Sequence, residues 1–119
     1  MVSGIGEALI GYRVDREAGP LVMVAAGGVH TEIYRDRSLR LAPVDLPTAR
    51  AMIAEVKAFA ILKGFRGKPP GDLDALANAI VALSRLALQN DLPIADAEVN
   101  PLIVRNDGVV AVDALIKTM

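Results

Sequence analysis

The sequence predicts an α+β domain, a mainly antiparallel sheet with two helices packed on one face. Three observations carry that prediction. Up to Pro43, apolar residues come in short runs or alternate with polar ones, as strands require. From Pro47 the apolar spacing changes to three and four and keeps that period through two segments. After Pro93 the strand pattern returns and ends in a hairpin turning at Asn106-Asp107-Gly108. Strands, two helices and a strand pair, in that order, make a layer structure with both helices on one side of the sheet.

The elements follow in order. "EALIGYRV" (7–14) alternates loosely and reads as a strand. "DREAGP" (15–20) is a turn, carried by Gly19-Pro20. "LVMVAA" (21–26) is a short apolar run, expected to be a strand buried on both faces, and Gly27-Gly28 breaks it. "VHTEIYRD" (29–36) sets Val29, Thr31 and Ile33 against His30, Glu32 and Tyr34, the pattern of a half-buried strand. "SLRLAP" (38–43) is a short extended piece. One helix is expected over 47–62, with Ala49, Met52, Ile53, Val56, Phe59 and Ala60 inward, Asp45 as its cap and Gly64 as its stop. "GFRGKPPGD" (64–72) is a basic Gly/Pro loop, and Asp72 caps a second helix over about 73–89, with Leu73, Leu76, Ala77, Ile80, Leu83, Ser84 and Ala87 inward.

Composition narrows the function classes. The chain has 119 residues, enough for one compact domain, and 53% of them are hydrophobic, so a core of Ala, Val, Leu and Ile is available. Net charge is −1 and there is no basic stripe with interleaved aromatics, so no nucleic-acid partner is expected. With no cysteine there is no disulfide framework, thiolate metal site or cysteine nucleophile, which agrees with a cytoplasmic location. No apolar run reaches the length of a membrane span. The N-terminus runs directly into strand-like sequence, the pattern expected of a piece cut from a larger protein.

The closing stretch "AEVNPLIVRNDGVVAVDALI" (97–116) keeps Glu98, Asn100 and Asp113 in an otherwise apolar hairpin. Glu98 and Asn100 are two apart and share a face. If Asp107-Gly108 form a two-residue loop, Asn100 is a diagonal neighbour of Asp113. If Asn106-Asp107 form it, Asn100 stands directly opposite Asp113. In both registers the side chains come within about 5–8 Å at Cβ. Two carboxylates and an amide oxygen at that separation suit a hard cation such as Mg²⁺, which takes one or two protein carboxylates and phosphate oxygens. A three-residue loop would send Asp113 to the other face. The blander reading is that Asn100 merely starts a bend at Pro101 and Asp113 caps a turn.

These residues resemble a known family. "EVNPLIV…DGVVAVDA" is similar to the closing motif of the ATP-grasp domain in NDP-forming acyl-CoA synthetases, relatives of the succinyl-CoA synthetase β-subunits. Three further segments resemble the same domain in the same order. They are "GEALIGYRVDREAGP" (Gly6, Glu7, Gly11, Asp15, Gly19, Pro20), "GGVHTEIYRDRSLRLAP" with its glycine pair, glutamate and R-x-A-P element, and "LKGFRGKPPGD". The resemblance covers essentially the whole chain and implies the C-terminal half of one ATP-grasp domain, residues 1–119 as a single domain.

The resemblance implies Mg²⁺ on the phosphates of ATP or ADP, held by Asn100 and Asp113, with Glu98 a weaker match. It implies Gly27 and Gly28 as nucleotide-binding residues and Glu32, with Arg40, as a catalytic residue at the phosphate end. Arg40 matches the arginine of R-x-A-P, as a phosphoryl contact or as a structural ion pair. The implied reaction is acyl-CoA + ADP + phosphate ⇌ carboxylate + CoA + ATP through a phosphoenzyme. The implied partners are the rest of the ATP-grasp domain, the CoA-binding and phosphohistidine-bearing domains, CoA and a carboxylic acid. By itself this half would not turn over. Two departures stand out: Ala18 where a Phe usually precedes Gly-Pro, and Leu115 where a basic residue often follows D-A. His30, the single histidine, does not match the phosphorylated one and reads as a solvent-facing strand residue. The alternative is a regulatory or scaffolding module, since similar regions occur fused to protein acetyltransferases.

Overall fold

The fold is that of a computed structural model, which describes residues 4–27, 36–64, 70–89, 91 and 93–119. Strands β1 (Gly6–Asp15), β2 (Gly19–Ala26) and β3 (Arg37–Leu41) are followed by helix α1 (Leu46–Glu55) and a 3₁₀ segment, Lys57–Lys63. Helix α2 (Leu73–Ser84) tightens into a second 3₁₀ turn, Arg85–Leu88, before β4 (Ile94–Arg105), β5 (Gly108–Ala111) and β6 (Ala114–Thr118). The sheet runs β3-β2-β1-β4-β5 with every pair antiparallel, and β6 pairs with the N-terminal half of β4.

Local chemistry accounts for the joints. Between β1 and β2, the Asp15 carboxylate accepts hydrogen bonds from the backbone N–H of Glu17 and Ala18, both at 2.9 Å, and Gly19 takes a φ of +91° that a side chain would strain. Those two backbone bonds hold the Asp15 carboxyl below its ordinary range. Asp45 caps α1 by accepting from Thr48 N, with Pro47 in the first turn, and Asp72 caps α2 by accepting from Ala75 N. The buried Ser84 hydroxyl donates to Val81 O at 2.7 Å and accepts from Val44 N at 3.0 Å, tying the chain entering α1 to α2.

The core lies between one face of the sheet and the two helices. Ala8 and Ile10 of β1, Val22 and Val24 of β2, and Leu102 and Val104 of β4 meet Met52, Ile53, Leu76 and Ile80. The opposite face carries no helix among the described residues, which leaves it free to form a site.

The structure differs from the sequence reading in three places. The helix expected over 47–62 is two pieces. Val56 is extended, and the Asp36 carboxylate accepts from Lys57 N and Ala58 N at 2.6 and 2.8 Å, starting a new turn. Val56 and Phe59 are nevertheless buried as their spacing predicts, whereas Ala60 is exposed. The second helix ends as an α-helix at Ser84, four residues before its 3₁₀ extension stops at Leu88. β2 is not buried evenly on both faces, because Leu21 and Met23 are only half-buried on the helix-free side. The strand expected over 29–36 falls almost wholly outside the described residues, as does most of the basic loop. No described helix is long and apolar enough to cross a membrane.

Candidate metal-binding site

The site is built by a register defect and a tight turn. β1 pairs Ala8 with Leu102 and then Ile10 with Val99, so Leu9 faces both Asn100 and Pro101. The extra residue is a β-bulge. It allows Val99 and Leu102 to pack on the same core, although three residues apart, and leaves Asn100 with Glu98 on the helix-free face.

The turn settles the two-residue register. Asn106 and Asp107 form the loop, with Arg105 opposite Gly108. The same register continues past the break between β5 and β6, setting Val99 opposite Ala114 and Glu98 opposite Leu115. Asn100 therefore faces Asp113 directly. Its N–H donates to the Asp113 carbonyl at 3.1 Å, and Val112 N donates to the Pro101 carbonyl at 3.1 Å.

Glu98, Asn100, Asp113, Ala114 and Leu115 line one depression of about 140 Å³. The two carboxylates are exposed, but Asn100 Oδ1 is buried and has no hydrogen-bond partner. An acceptor left in that state costs about 1–3 kcal/mol. A cation in the depression would satisfy it. Among the described residues no three His, Cys, Asp or Glu side chains cluster as metal ligands. The donors are two carboxylates and one amide oxygen, all hard oxygen ligands, and they fit Mg²⁺ completed by water or phosphate oxygens.

A second depression, of about 230 Å³, opens on the same face, with Leu9, Gly11 and Met23 among its apolar lining and Arg13, Arg37, Asp96 and Glu98 its charged lining. Gly11 stands opposite both Met23 and Glu98, and its missing side chain lowers the floor there. Because Glu98 lines both depressions, they adjoin. The sequence reading did not single out this surface. Its signal was Gly11 inside a strand pattern, which marks a close backbone or ligand approach.

The other candidate residues lie elsewhere. Gly27 follows β2, donates to the Glu7 carbonyl at 2.9 Å and passes so close to β1 that a Cβ would sit 2.9 Å from Ala8 O. Gly28, Glu32 and His30 lie outside the described residues. Arg40 is opposite Val22 on the helix-covered face, so it is not brought together with Asn100 and Asp113. Its guanidinium donates through both terminal nitrogens to the Glu55 carboxylate, which also accepts from Ser38 Oγ. The hydrogen bond from Arg40, then that from Ser38, holds the Glu55 carboxyl below its ordinary range, and the same pairing raises the Arg40 guanidinium. Glu55 is the partner the sequence reading missed; it lies 15 residues away on α1.

The family pattern described as "ATP-grasp domain" matches residues 1–118. The β-subunit of acetate–CoA ligase (ADP-forming) I from Pyrococcus furiosus is 42% identical over 109 residues, covering 91% of this chain and 46% of that protein. Acetate–CoA ligase (ADP-forming) I from Archaeoglobus fulgidus is 38% identical over 113 residues, covering 95% of this chain and 16% of that protein. Dinucleotide-forming acetyl-coenzyme A synthetase 1 of Ca. Korarchaeum cryptofilum, solved with coenzyme A and Mg-AMPPCP, has a TM-score of 0.90 at 39% identity, covering 100% of this chain and 55% of that one. The chain thus spans about half of two of these relatives and about a sixth of the third.

Proposed function

We propose a function from one premise: this chain belongs to the ATP-grasp domain family. It is the C-terminal, Mg²⁺-nucleotide-holding part of an ATP-grasp domain in an ADP-forming acyl-CoA synthetase. The observation that carries this reading is the buried, unpartnered Asn100 Oδ1 directly across from Asp113. The solved relative with Mg-AMPPCP supports Mg²⁺ and nucleotide binding in this group of proteins.

Asn100 and Asp113 would hold the ion, with Glu98 beside them. When bound, Mg²⁺ supplies charge neutralisation to nucleotide phosphate oxygens. The bulge lies at Asn100, whose Oδ1 is held desolvated and without a partner of its own. Asp113 is placed by the backbone bond between its carbonyl and Asn100 N rather than by its own side chain. The adjoining depression provides a mixed surface for the nucleotide body, apolar at Leu9, Gly11 and Met23 and charged at Arg13, Arg37 and Asp96. Gly28 and Glu32 keep the nucleotide and phosphate-end roles that the resemblance implies. Arg40 serves as a structural ion pair with Glu55 and not as a phosphoryl contact.

The reaction of the whole protein is acyl-CoA + ADP + phosphate ⇌ carboxylate + CoA + ATP through a phosphoenzyme, in the cytoplasm. It needs the remaining half of the ATP-grasp domain and domains that bind CoA and carry the phosphohistidine. The ligase names of the relatives favour this over a regulatory module of an acetyltransferase. The test is Asp113→Asn in the full-length protein. Phosphoryl transfer is expected to be lost while the melting temperature barely moves, because Asp113 is exposed and the change removes charge but little volume. Turnover retained at the wild-type rate would refute the reading.

A further inference from the structure

We propose that Lys117 is a phosphate-binding residue of this sheet face, reaching the nucleotide from β6; the proposal rests on the reading of Asn100, Asp113 and Glu98 as the Mg²⁺ end of the site. Pairing with β4 places Leu115 opposite Glu98 and Lys117 opposite Asp96. Alternation along the strand then puts Asp113, Leu115 and Lys117 on one face, the helix-free one. A third depression, of about 120 Å³, is lined by Asp96, Glu98, Leu115 and Lys117. It shares Glu98 and Leu115 with the depression holding Asn100 and Asp113.

The charge balance favours a cation at this end of the site. Glu98 and Asp113 together carry two negative charges, which one divalent ion offsets. A nucleoside di- or triphosphate brings about three or four more, and sites for such groups meet them with Lys, Arg or further metal. Among the described residues, Lys117 is the one cation lining either of these two depressions, whereas Arg13 and Arg37 line the adjoining one over Gly11. It takes part in none of the ion pairs formed among the described residues. Asp96, its cross-strand neighbour, also stands opposite Arg13, whose guanidinium pairs with Asp15 at 3.7 Å.

Reach is adequate. Same-face neighbours on a strand are about 6.7 Å apart, which puts Lys117 about 13 Å from Asp113 along β6. The four-carbon stem covers about half of that distance, and a phosphate chain leaving the ion covers the rest. Leu115 lies between them with 64% of its surface exposed, an apolar track on which the lysine methylenes can lie while the ammonium stays in water.

The test uses the full-length protein, with Lys117→Met and Lys117→Arg measured beside Asp113→Asn. Lys117→Met keeps the apolar stem and removes only the charge. It is expected to raise the KM for Mg-ADP about tenfold, the loss typical of one charge-assisted hydrogen bond, with a smaller change in kcat. Lys117→Arg should restore most of that loss, and AMP, with a single phosphate, should bind wild type and Lys117→Met alike. An unchanged KM for Mg-ADP in Lys117→Met, alongside an inactive Asp113→Asn, would overturn the lysine assignment and leave the metal site standing. Failure of Lys117→Arg to restore binding would overturn it as well, because charge would then not be the operative property. An active Asp113→Asn would overturn the metal site and this assignment together.

Discussion

Replacing Asn100 with alanine should make the metal-free protein no less stable while removing its response to Mg²⁺-nucleotide. The side chain of Asn100 makes no hydrogen bond among the described residues, and its Oδ1 is buried without a donor. Truncation relieves a desolvated acceptor that costs about 1–3 kcal/mol. Against this stands the lost packing of a half-buried amide, about 1 kcal/mol on an area basis. The backbone bonds of the bulge, Asn100 N to Asp113 O and Val112 N to Pro101 O, survive the change. The net effect is a gain of about 0–2 kcal/mol without ligand, where each kcal/mol moves the melting temperature of a domain this size by about 4 °C. With Mg²⁺-nucleotide at a hundred times its dissociation constant, wild type should gain about 2.7 kcal/mol and the variant almost nothing. The order of stability therefore reverses on adding ligand. Urea unfolding of the full-length protein, with and without Mg²⁺-nucleotide, reads both effects. A variant more than about 1 kcal/mol less stable than wild type without ligand would refute the reasoning, since Oδ1 would then be holding the bulge through a bond of its own.

Three further outcomes are expected. Glu55 has a lowered carboxyl pKa in the folded state, so the stability it contributes is present above the ordinary glutamate range and is lost as pH falls through its lowered folded value. Unfolding measured from neutral pH down to pH about 3 should show wild type converging on Glu55→Gln at the acid end; parallel curves would rule out the Arg40 pairing as the source. Gly27→Ala should destabilise by about 1–3 kcal/mol, because its Cβ meets the backbone of Ala8 at 2.9 to 3.1 Å and backbone cannot swing aside as a side-chain tip can; a wild-type melting temperature would contradict the close approach. Ile80→Ala, at a position with no exposed surface, should cost about 2–5 kcal/mol in chemical denaturation, and a loss under 1 kcal/mol would show that α2 does not seal the core there.

Much of the fold was legible in the sequence because the signals are local. The change of apolar spacing at Pro47 marked the passage from sheet to helices, and Asp45 and Asp72 marked helix starts through carboxylates that reach only three residues ahead. The same spacing named Met52, Ile53, Leu76 and Ile80 as the face the sheet would receive. Asn100 and Asp113 were legible as a candidate pair because polar side chains interrupt an apolar hairpin, but two registers remained open. A one-residue shift of the turn decides between direct and diagonal neighbours, and Asn106-Asp107-Gly108 accommodates either.

The sequence by itself determined most of the helix residues that face the core, where the helices start and which polar side chains interrupt the final hairpin, because each is set by neighbours within a few residues. Tertiary structure alone decided three things. Asp36 reaches across to Lys57 N and Ala58 N and breaks an otherwise continuous helical pattern at Val56. Glu55 on α1 draws Arg40 to the helix side, away from Asn100 and Asp113. The bulge opposite Leu9 brings Leu102 onto the core that Val99 already faces, three residues earlier, while Asn100 keeps the helix-free face it shares with Glu98. Each of these depends on a partner from a distant part of the chain. Periodicity and caps report only what a segment prefers alone, whereas the contacts made after the sheet and helices pack select among the arrangements that local preference leaves nearly equal.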